Sequence, residues 1–394
     1  MGCILMTWEL GAGRGHLAPM LSLASHLREA GHHVELAVRD PLDAAPFATR
    51  AGLPFHASPI PAPLGNGALL VSYPQILRQL RFDDPATLHA RVLAWHSLFD
   101  SVRPDLLICD HSPTALLAAR ARNMKAIVTG TGFFVPPDVA PLPDLRPWQA
   151  TDLQQLARDE QAVLASLNTV LEKFAAPGLA RLAQLFEVNA QALFTLRELD
   201  NYAAYRQQTD YWGAVPASPA ATPQWPAGKG QRIFAYLRRF DTLPALLGSL
   251  RDSGQPTLIY MPQQPADITA QFEGGNLHFS PVPLDMDAVT QECDLAILHA
   301  GHGVTAALLL AGKPMLLLPL HLEMLLTARA VAALGAGLVA PEMKPAGMQQ
   351  KLARLLQEPA FGAAARNFAE RYAGLDVKAI PSRFAALVEH VLGQ

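Results

Sequence analysis

The sequence predicts an α/β protein of two domains, each a doubly wound parallel sheet. Three observations carry this. Short apolar runs alternate with amphipathic helical stretches in both halves, the pattern of parallel βαβ units with right-handed crossovers. A stretch of linker composition, AVPASPAATPQWPAGKG at 214–230, interrupts the alternation, which then restarts. The 394 residues are half hydrophobic and only 16% charged, enough for two separate cores and incompatible with disorder.

Residues 3–7 form the first predicted strand. Residues 19–30 read as an amphipathic helix with Leu21, Leu23, Ala24 and Leu27 on one face, closed by Gly31, and 34–38 as the next strand. A strand at 106–109, a helix at 114–122 and a strand at 126–129 continue the pattern. Residues 133–148 contain Pro136, Pro137, Pro141, Pro143 and Pro147, so an extended loop is expected, and 151–197 are helical in character. Beyond the linker come a strand at 233–237, a helix at 243–253 and a strand at 257–260. Residues 294–337 are the most informative. An apolar strand at 295–298 runs into the loop His299-Ala300-Gly301-His302-Gly303, an Ala/Leu helix and a further strand at 315–318. The expected division is a domain over 1–213, a linker over 214–230, a domain over 231–378, and a helix within 379–394 that packs back toward the first domain.

The formal charge of −3, with no Lys/Arg run longer than two, excludes an electrostatic case for a nucleic-acid partner. Cys3, Cys109 and Cys293 lie far apart in or beside apolar runs and show no metal spacing; they read as small hydrophobes in a reducing compartment. The opening MGCILMTWELGAG lacks a basic segment and a small-residue cleavage site, and Met6 stands where a myristoylation signal wants Ser or Thr. No apolar run approaches the roughly 18 residues of a spanning helix. A cytoplasmic protein is expected; peripheral membrane contact and oligomeric state stay open.

Gly11-Ala12-Gly13-Arg14-Gly15-His16 lies between the first strand and helix, but a dinucleotide fingerprint would need glycine where His16 stands. Either the glycines let main chain crowd a ligand with His16 as the chemical group, or His16 caps the helix that follows. The helix dipole disfavours imidazolium there, which keeps a basic ring available near neutral pH. Asp110 ends the 106–109 strand on the same sheet edge, where a carboxylate can orient an imidazole and stabilise its charged form; taken alone it reads as a cap of the next helix, and beside His16 as its partner. The 299–305 loop opens a helix N-terminus, with free N–H groups and partial positive charge, and so fits an anion such as a diphosphate. Asp285-Met286-Asp287 has the spelling of a metal motif, but it precedes a helix after Pro283, where capping accounts for it.

These segments together resemble a known family. GRGHLAPMLSLASHLREAGHHVEL, PVPLDMDAVTQECDLAILHAG and HAGHGVTAALLLAGKP are similar to the opening and donor stretches of nucleotide-sugar-dependent glycosyltransferases of the GT-B type. That group includes plant and bacterial small-molecule glycosyltransferases and the lipid II synthase group. The resemblance implies two Rossmann-like domains facing across a cleft. It also implies inverting sugar transfer from a UDP- or dTDP-linked co-substrate; no other cofactor is expected, and no metal ion, since nothing in the sequence clusters carboxylates for one. By that resemblance His16 is the base and Asp110 the carboxylate behind it. His299, Gly301, His302, Gly303, Val304 and Thr305 would hold the donor diphosphate, Val282 would read the base by its main chain, and Glu323 would hold sugar hydroxyls. Gly13 and Arg238 complete the donor set. Phe133, Phe134 and Trp148, with residues 60–82, either bound a small apolar acceptor such as a natural product or lipid or belong to the core.

The departures are specific. Ala307 stands where the family has a ribose-binding Glu; Met324 and Thr327 replace Gln and Asn; Arg238-Arg239 replaces a Gly-Ser/Thr turn. Those arginines either offer charge to a diphosphate or form a solvated pair. Two rival readings follow: a catalytically silent nucleotide- or partner-binding protein of the same fold, and a sugar-nucleotide epimerase.

Overall fold

The computed structural model describes residues 1–11, 14–60, 70–216 and 220–394. Gly13, residues 61–69 of the expected acceptor boundary and residues 217–219 of the linker lie outside the described residues. The chain divides into Met1–Pro216 with Val377–Gln394, and Ala217–Asp376.

The first unit opens with β1 (Cys3–Trp8), α1 (Arg14–Glu29), β2 (His33–Val38), α2 (Pro41–Arg50) and β3 (Phe55–Ala57). It continues through α3 (Tyr73–Gln79), α4 (Pro85–Val102), β4 (Leu106–Asp110), α5 (Pro113–Ala121), β5 (Ala126–Gly130), α6 (Leu153–Lys173) and β6 (Ala190–Leu193). The strands pair in parallel in the order β3-β2-β1-β4-β5-β6. Both faces of this sheet are covered, so its strands are apolar at successive positions rather than alternate ones. Leu5 and Leu107 face one core with α4, α5 and α6, while Ile4, Met6 and Ile108 face the other with α1 and α2.

The second unit contains β7 (Ile233–Tyr236), α7 (Leu243–Asp252), β8 (Thr257–Tyr260), α8 (Ala266–Phe272), β9 (Leu277–Ser280) and α9 (Met286–Glu292). After these come β10 (Leu295–Leu298), α10 (His302–Leu310), β11 (Met315–Leu317), α11 (Leu322–Ala333), β12 (Gly337–Val339), α12 (Pro345–Gln357) and α13 (Pro359–Arg371). The parallel order β12-β11-β10-β7-β8-β9 repeats the topology of the first unit. Each sheet therefore reverses its winding at its centre, at β1/β4 and at β7/β10, which is where such sheets open a ligand crevice. The last helix, α14 (Ile380–Gly393), belongs to the first unit: Phe384, Val388 and Val391 fill the core beside α1.

Two elements differ from the sequence expectation. Helix α1 begins at Arg14 rather than 19, so His16 stands in its first turn. Pro19 stands sixth in the helix and gives up the one main-chain bond that its N–H would make to the Gly15 carbonyl. The 151–197 stretch is not helical throughout. Past Phe174 it passes through the short 3₁₀ segment Leu182–Phe186 into β6, an edge strand too short to show a period. Among the described residues no helix is long and apolar enough to cross a membrane.

Candidate active site

In the first unit, His16 and Asp110 come from opposite sides of the central winding reversal, one following β1 and the other ending β4. Their side chains meet, with His16 Nδ1 3.2 Å from Asp110 Oδ2. A carboxylate can only accept, so Nδ1 carries the proton and Nε2 is the basic nitrogen. The ring is 6% exposed. It stacks on Trp8 with centroids 5.4 Å apart and lies 5.1 Å from the ring of Phe134.

Two glycines make room for this stack. Gly11 has φ +87°, and a Cβ there would fall 2.4 Å from His16 Nε2. Gly130 has φ +137°, and its Cβ would fall 2.2 Å from the Phe134 ring. Substituting Gly11→Ala therefore displaces the imidazole and strains the turn. Any activity that depends on His16 is expected to fall about tenfold with the protein still folded, checked by steady-state rates beside a thermal melt.

A second pattern recurs in each unit. The end of β4 reads Asp110, then His111 at φ +45°, then Ser112 as N-cap of α5. The end of β10 reads His299, then Ala300 at φ +62°, then Gly301 as N-cap of α10. In both units a left-handed residue, strained by roughly 1–2 kcal/mol, turns the strand into its helix. Both turns stand at the winding reversal. Ser112 makes no side-chain capping bond, and Glu9, just past β1, supplies one instead: its carboxylate accepts the Thr114 N–H at 2.8 Å and the Thr114 hydroxyl. Glu9 is fully buried, and burial pushes its carboxyl up to about 7 against the opposing pull of Thr114 and Arg91.

In the second unit His299 lies at the end of β10, 5% exposed. Its Nδ1 is 2.7 Å from the Leu318 carbonyl, and its Nε2 accepts the Arg238 N–H at 2.9 Å. Both bonds are satisfied at once by a neutral ring protonated on Nδ1, and burial lowers its pKa in keeping with that form. Main-chain groups thus occupy both ring nitrogens, and a diphosphate contact from this side chain requires one bond to be given up. The ring instead fixes the main chain at Arg238, just past β7 on the other side of the reversal. The two arginines separate: Arg239 forks onto Asp267 at 3.0 and 3.0 Å, while Arg238 extends as an exposed side chain.

The remaining predicted residues are placed as follows. Gly301 and Gly303 have open space where a Cβ would stand. His302 and Val304 are half-buried in the first turn of α10, which contains no acidic residue. Thr305 is fully buried, and its hydroxyl donates to the Gly301 carbonyl at 2.8 Å. Glu323 is in the first turn of α11. Val282 is 46% exposed, its carbonyl accepting the Ser280 hydroxyl at 2.7 Å. Phe134 joins the dyad, Phe133 leans on the core beside it, and Trp148 stands half-buried in the proline-rich loop. Asp285 caps α9, accepting the Asp287 N–H at 2.9 Å. Among the described residues no three His, Cys, Asp or Glu side chains are grouped to hold a metal ion. Trp8, Glu9, Tyr73 and His111 escaped the sequence reading; Trp8, Glu9 and His111 stand at or beside strand ends, and Tyr73 opens α3.

Comparison with known proteins agrees with this architecture. Residues 255–380 match the family described as erythromycin biosynthesis protein CIII-like, C-terminal domain. No curated protein sequence matches the chain. Among solved structures, the spinosyn rhamnosyltransferase SpnG is similar over 100% of this chain and 100% of its own, with TM-score 0.68 and 19% identity. The glycosyltransferase VinC, solved in complex with dTDP, covers 96% of this chain and 99% of its own at TM-score 0.66 and 20% identity. The glycosyltransferase SnogD from Streptomyces nogalater covers 98% of each at TM-score 0.63 and 18% identity. SpnG has also been solved with thymidine diphosphate and with spinosyn aglycone. The chain has the GT-B fold, two Rossmann-like units with six parallel strands each.

Proposed function

We propose that the protein is an inverting glycosyltransferase of the cytoplasm that needs no metal ion. It would move a sugar from a dTDP- or UDP-linked donor to a hydroxyl of a small acceptor, a natural product or lipid with an apolar body. The observation that carries this reading is the His16–Asp110 pair at the strand ends of the first unit. His16 Nε2 takes the acceptor proton as the oxygen attacks the anomeric carbon, and Asp110 stabilises the imidazolium that results. Attack from the face opposite the diphosphate inverts that carbon.

The leaving diphosphate gathers charge as its bond to the sugar breaks. The N–H groups at the start of α10, from Gly301 to Gly303, would meet that charge, with Arg238 beside them. Glu323 would hold sugar hydroxyls and Val282 the base. His299 acts here as the residue that holds Arg238 in place. The structures of VinC and SpnG with dTDP support a thymidine diphosphate donor. Cys109 and Cys293 are free and buried, as expected of small hydrophobes in a reducing compartment.

A silent nucleotide-binding protein is the second reading, favoured by Ala307 and by the occupied nitrogens of His299. The test offers dTDP- and UDP-sugars with a panel of hydroxylated acceptors in EDTA. Acceptor-dependent release of the nucleoside diphosphate is the expected result. Donor binding without release would establish the silent reading, and turnover without acceptor would mean hydrolysis or epimerisation.

A further inference from the structure

Around the dyad the first unit buries polar atoms that it does not satisfy. Asp110 Oδ1, both ring nitrogens of His111, the Tyr73 hydroxyl and the Thr131 hydroxyl have no hydrogen-bond partner. Folded proteins pair the great majority of such atoms, and an orphan costs about 1–3 kcal/mol. Further such atoms lie elsewhere in the first unit, on Arg91, Trp95, Ser166, Asn201 and Tyr202, and the second unit buries none among its described residues. Three of these atoms, those of His111 and Tyr73, sit on flat rings. His111 stacks on Phe134 with centroids 4.6 Å apart and an interplanar angle of 13°, and lies 6.1 Å from Tyr73 and 6.0 Å from His16. His111 is 7% exposed and Tyr73 fully buried. Burial keeps both neutral: His111 falls well below the usual histidine range and Tyr73 rises well above that of a phenol. The pair therefore offers one N–H, one O–H and two acceptor sites, facing aromatic surface.

We propose that Tyr73 and His111 form a polar recognition site beside the dyad for a flat aromatic acceptor with a phenolic or carbonyl oxygen besides the hydroxyl that reacts. The acceptor ring lies against the aromatic rings, as offset or edge-on packing favours. Its oxygen supplies the partner that Tyr73 and His111 lack. An acceptor of hydrocarbon surface alone would leave these groups unpaired, and a site built for hydrogen bonds discriminates strongly against a ligand that cannot make them. This inference rests on reading His16 as the acceptor-side base. It replaces a uniformly apolar acceptor with one that has a polar end.

The experiment uses the full chain without donor, so its result does not depend on sugar transfer. Equilibrium dialysis compares 2-naphthol with 2-methylnaphthalene, which puts a methyl group in place of the hydroxyl. The wild type is expected to bind 2-naphthol about tenfold more tightly, the equivalent of one net hydrogen bond. Tyr73→Phe, which removes one oxygen atom, should shrink that ratio to about twofold while raising the melting temperature of the free protein. His111→Asn keeps a residue that tolerates the left-handed turn, and should shrink the ratio as well. Equal binding of the two probes by the wild type, or a ratio preserved in both variants, would overturn the proposal. A purely structural role would lower the melting temperature of Tyr73→Phe and leave the ratio alone. Should the proposal fail, acceptor-dependent release of the nucleoside diphosphate still judges the transfer reading separately.

Discussion

His16→Ala is expected to bind dTDP as the wild type does and to lose about 10²–10⁴-fold in turnover, the range for removing a positioned general base. Binding survives because the groups that would hold the nucleotide lie in the other unit, on β7, β10 and α10. Turnover falls because the acceptor oxygen must then attack while still carrying its proton, and no other described base is hydrogen-bonded to Asp110. Asp110→Asn should lose less, since the imidazole remains but its Nδ1–H no longer meets a full negative charge. The two effects should not add, because one group acts only through the other. Single-turnover rates at saturating donor, beside calorimetric titration with dTDP, check both statements. A His16→Ala rate within threefold of wild type would remove the dyad from the reaction and leave the fold.

The fold was legible wherever burial on both sheet faces forced a continuous apolar run. β8 and β10 occupy the runs that the sequence predicts, and β1, β4 and β5 extend theirs by one residue at the C-terminal end. The short edge strands were not legible. β3 and β12 have three residues each, and β6 four, too few for a period to separate strand from helix. Their register is set by neighbours such as Leu36 and Leu316, which local propensity does not record. The start of α1 was missed for the opposite reason: Pro19 is a strong local signal, and tertiary packing of Leu17 and Met20 overrode it.

The site divides in a similar way. The contact of His16 with Asp110 could be anticipated because each stands at a fixed place in a βα unit, and the topology brings such places together. The bonds of His299 could not be found, since both are made to main-chain groups, at Arg238 and Leu318, far away in the sequence. A histidine before a glycine loop reads as a ligand residue, and only coordinates reveal that its nitrogens are occupied. The same applies to Arg238 and Arg239, equivalent on paper and separated by Asp267 in space. Orphaned atoms on Tyr73 and His111 leave no trace in sequence at all, because an absent partner has no residue type.

Glu9→Gln is expected to stabilise the protein in a manner that depends on pH. The Glu9 carboxyl is raised from 4.5 to about 7, chiefly by burial. Below about pH 4.5 the group is protonated whether folded or unfolded, and the contribution of its neutral form to stability is fully present. As pH rises through 7 the unfolded chain ionises freely while the fold resists, so stability is lost across that window. The shift corresponds to about 3 kcal/mol by pH 8. Glutamine keeps an oxygen for the Thr114 N–H and stays neutral, so it should abolish the loss. Urea unfolding followed by tryptophan fluorescence reads mainly the first unit, which holds Trp8, Trp95, Trp148 and Trp212 of the five tryptophans. Variant and wild type should unfold at similar urea concentrations at pH 4.5 and separate at pH 8, the variant being the more stable. Parallel behaviour at the two pH values would mean that Glu9 is held charged in the fold, with Arg91 rather than burial deciding its state. The outcome bears on the dyad as well, because Glu9 follows Trp8, the residue on which His16 stacks, and ties the end of β1 to the start of α5.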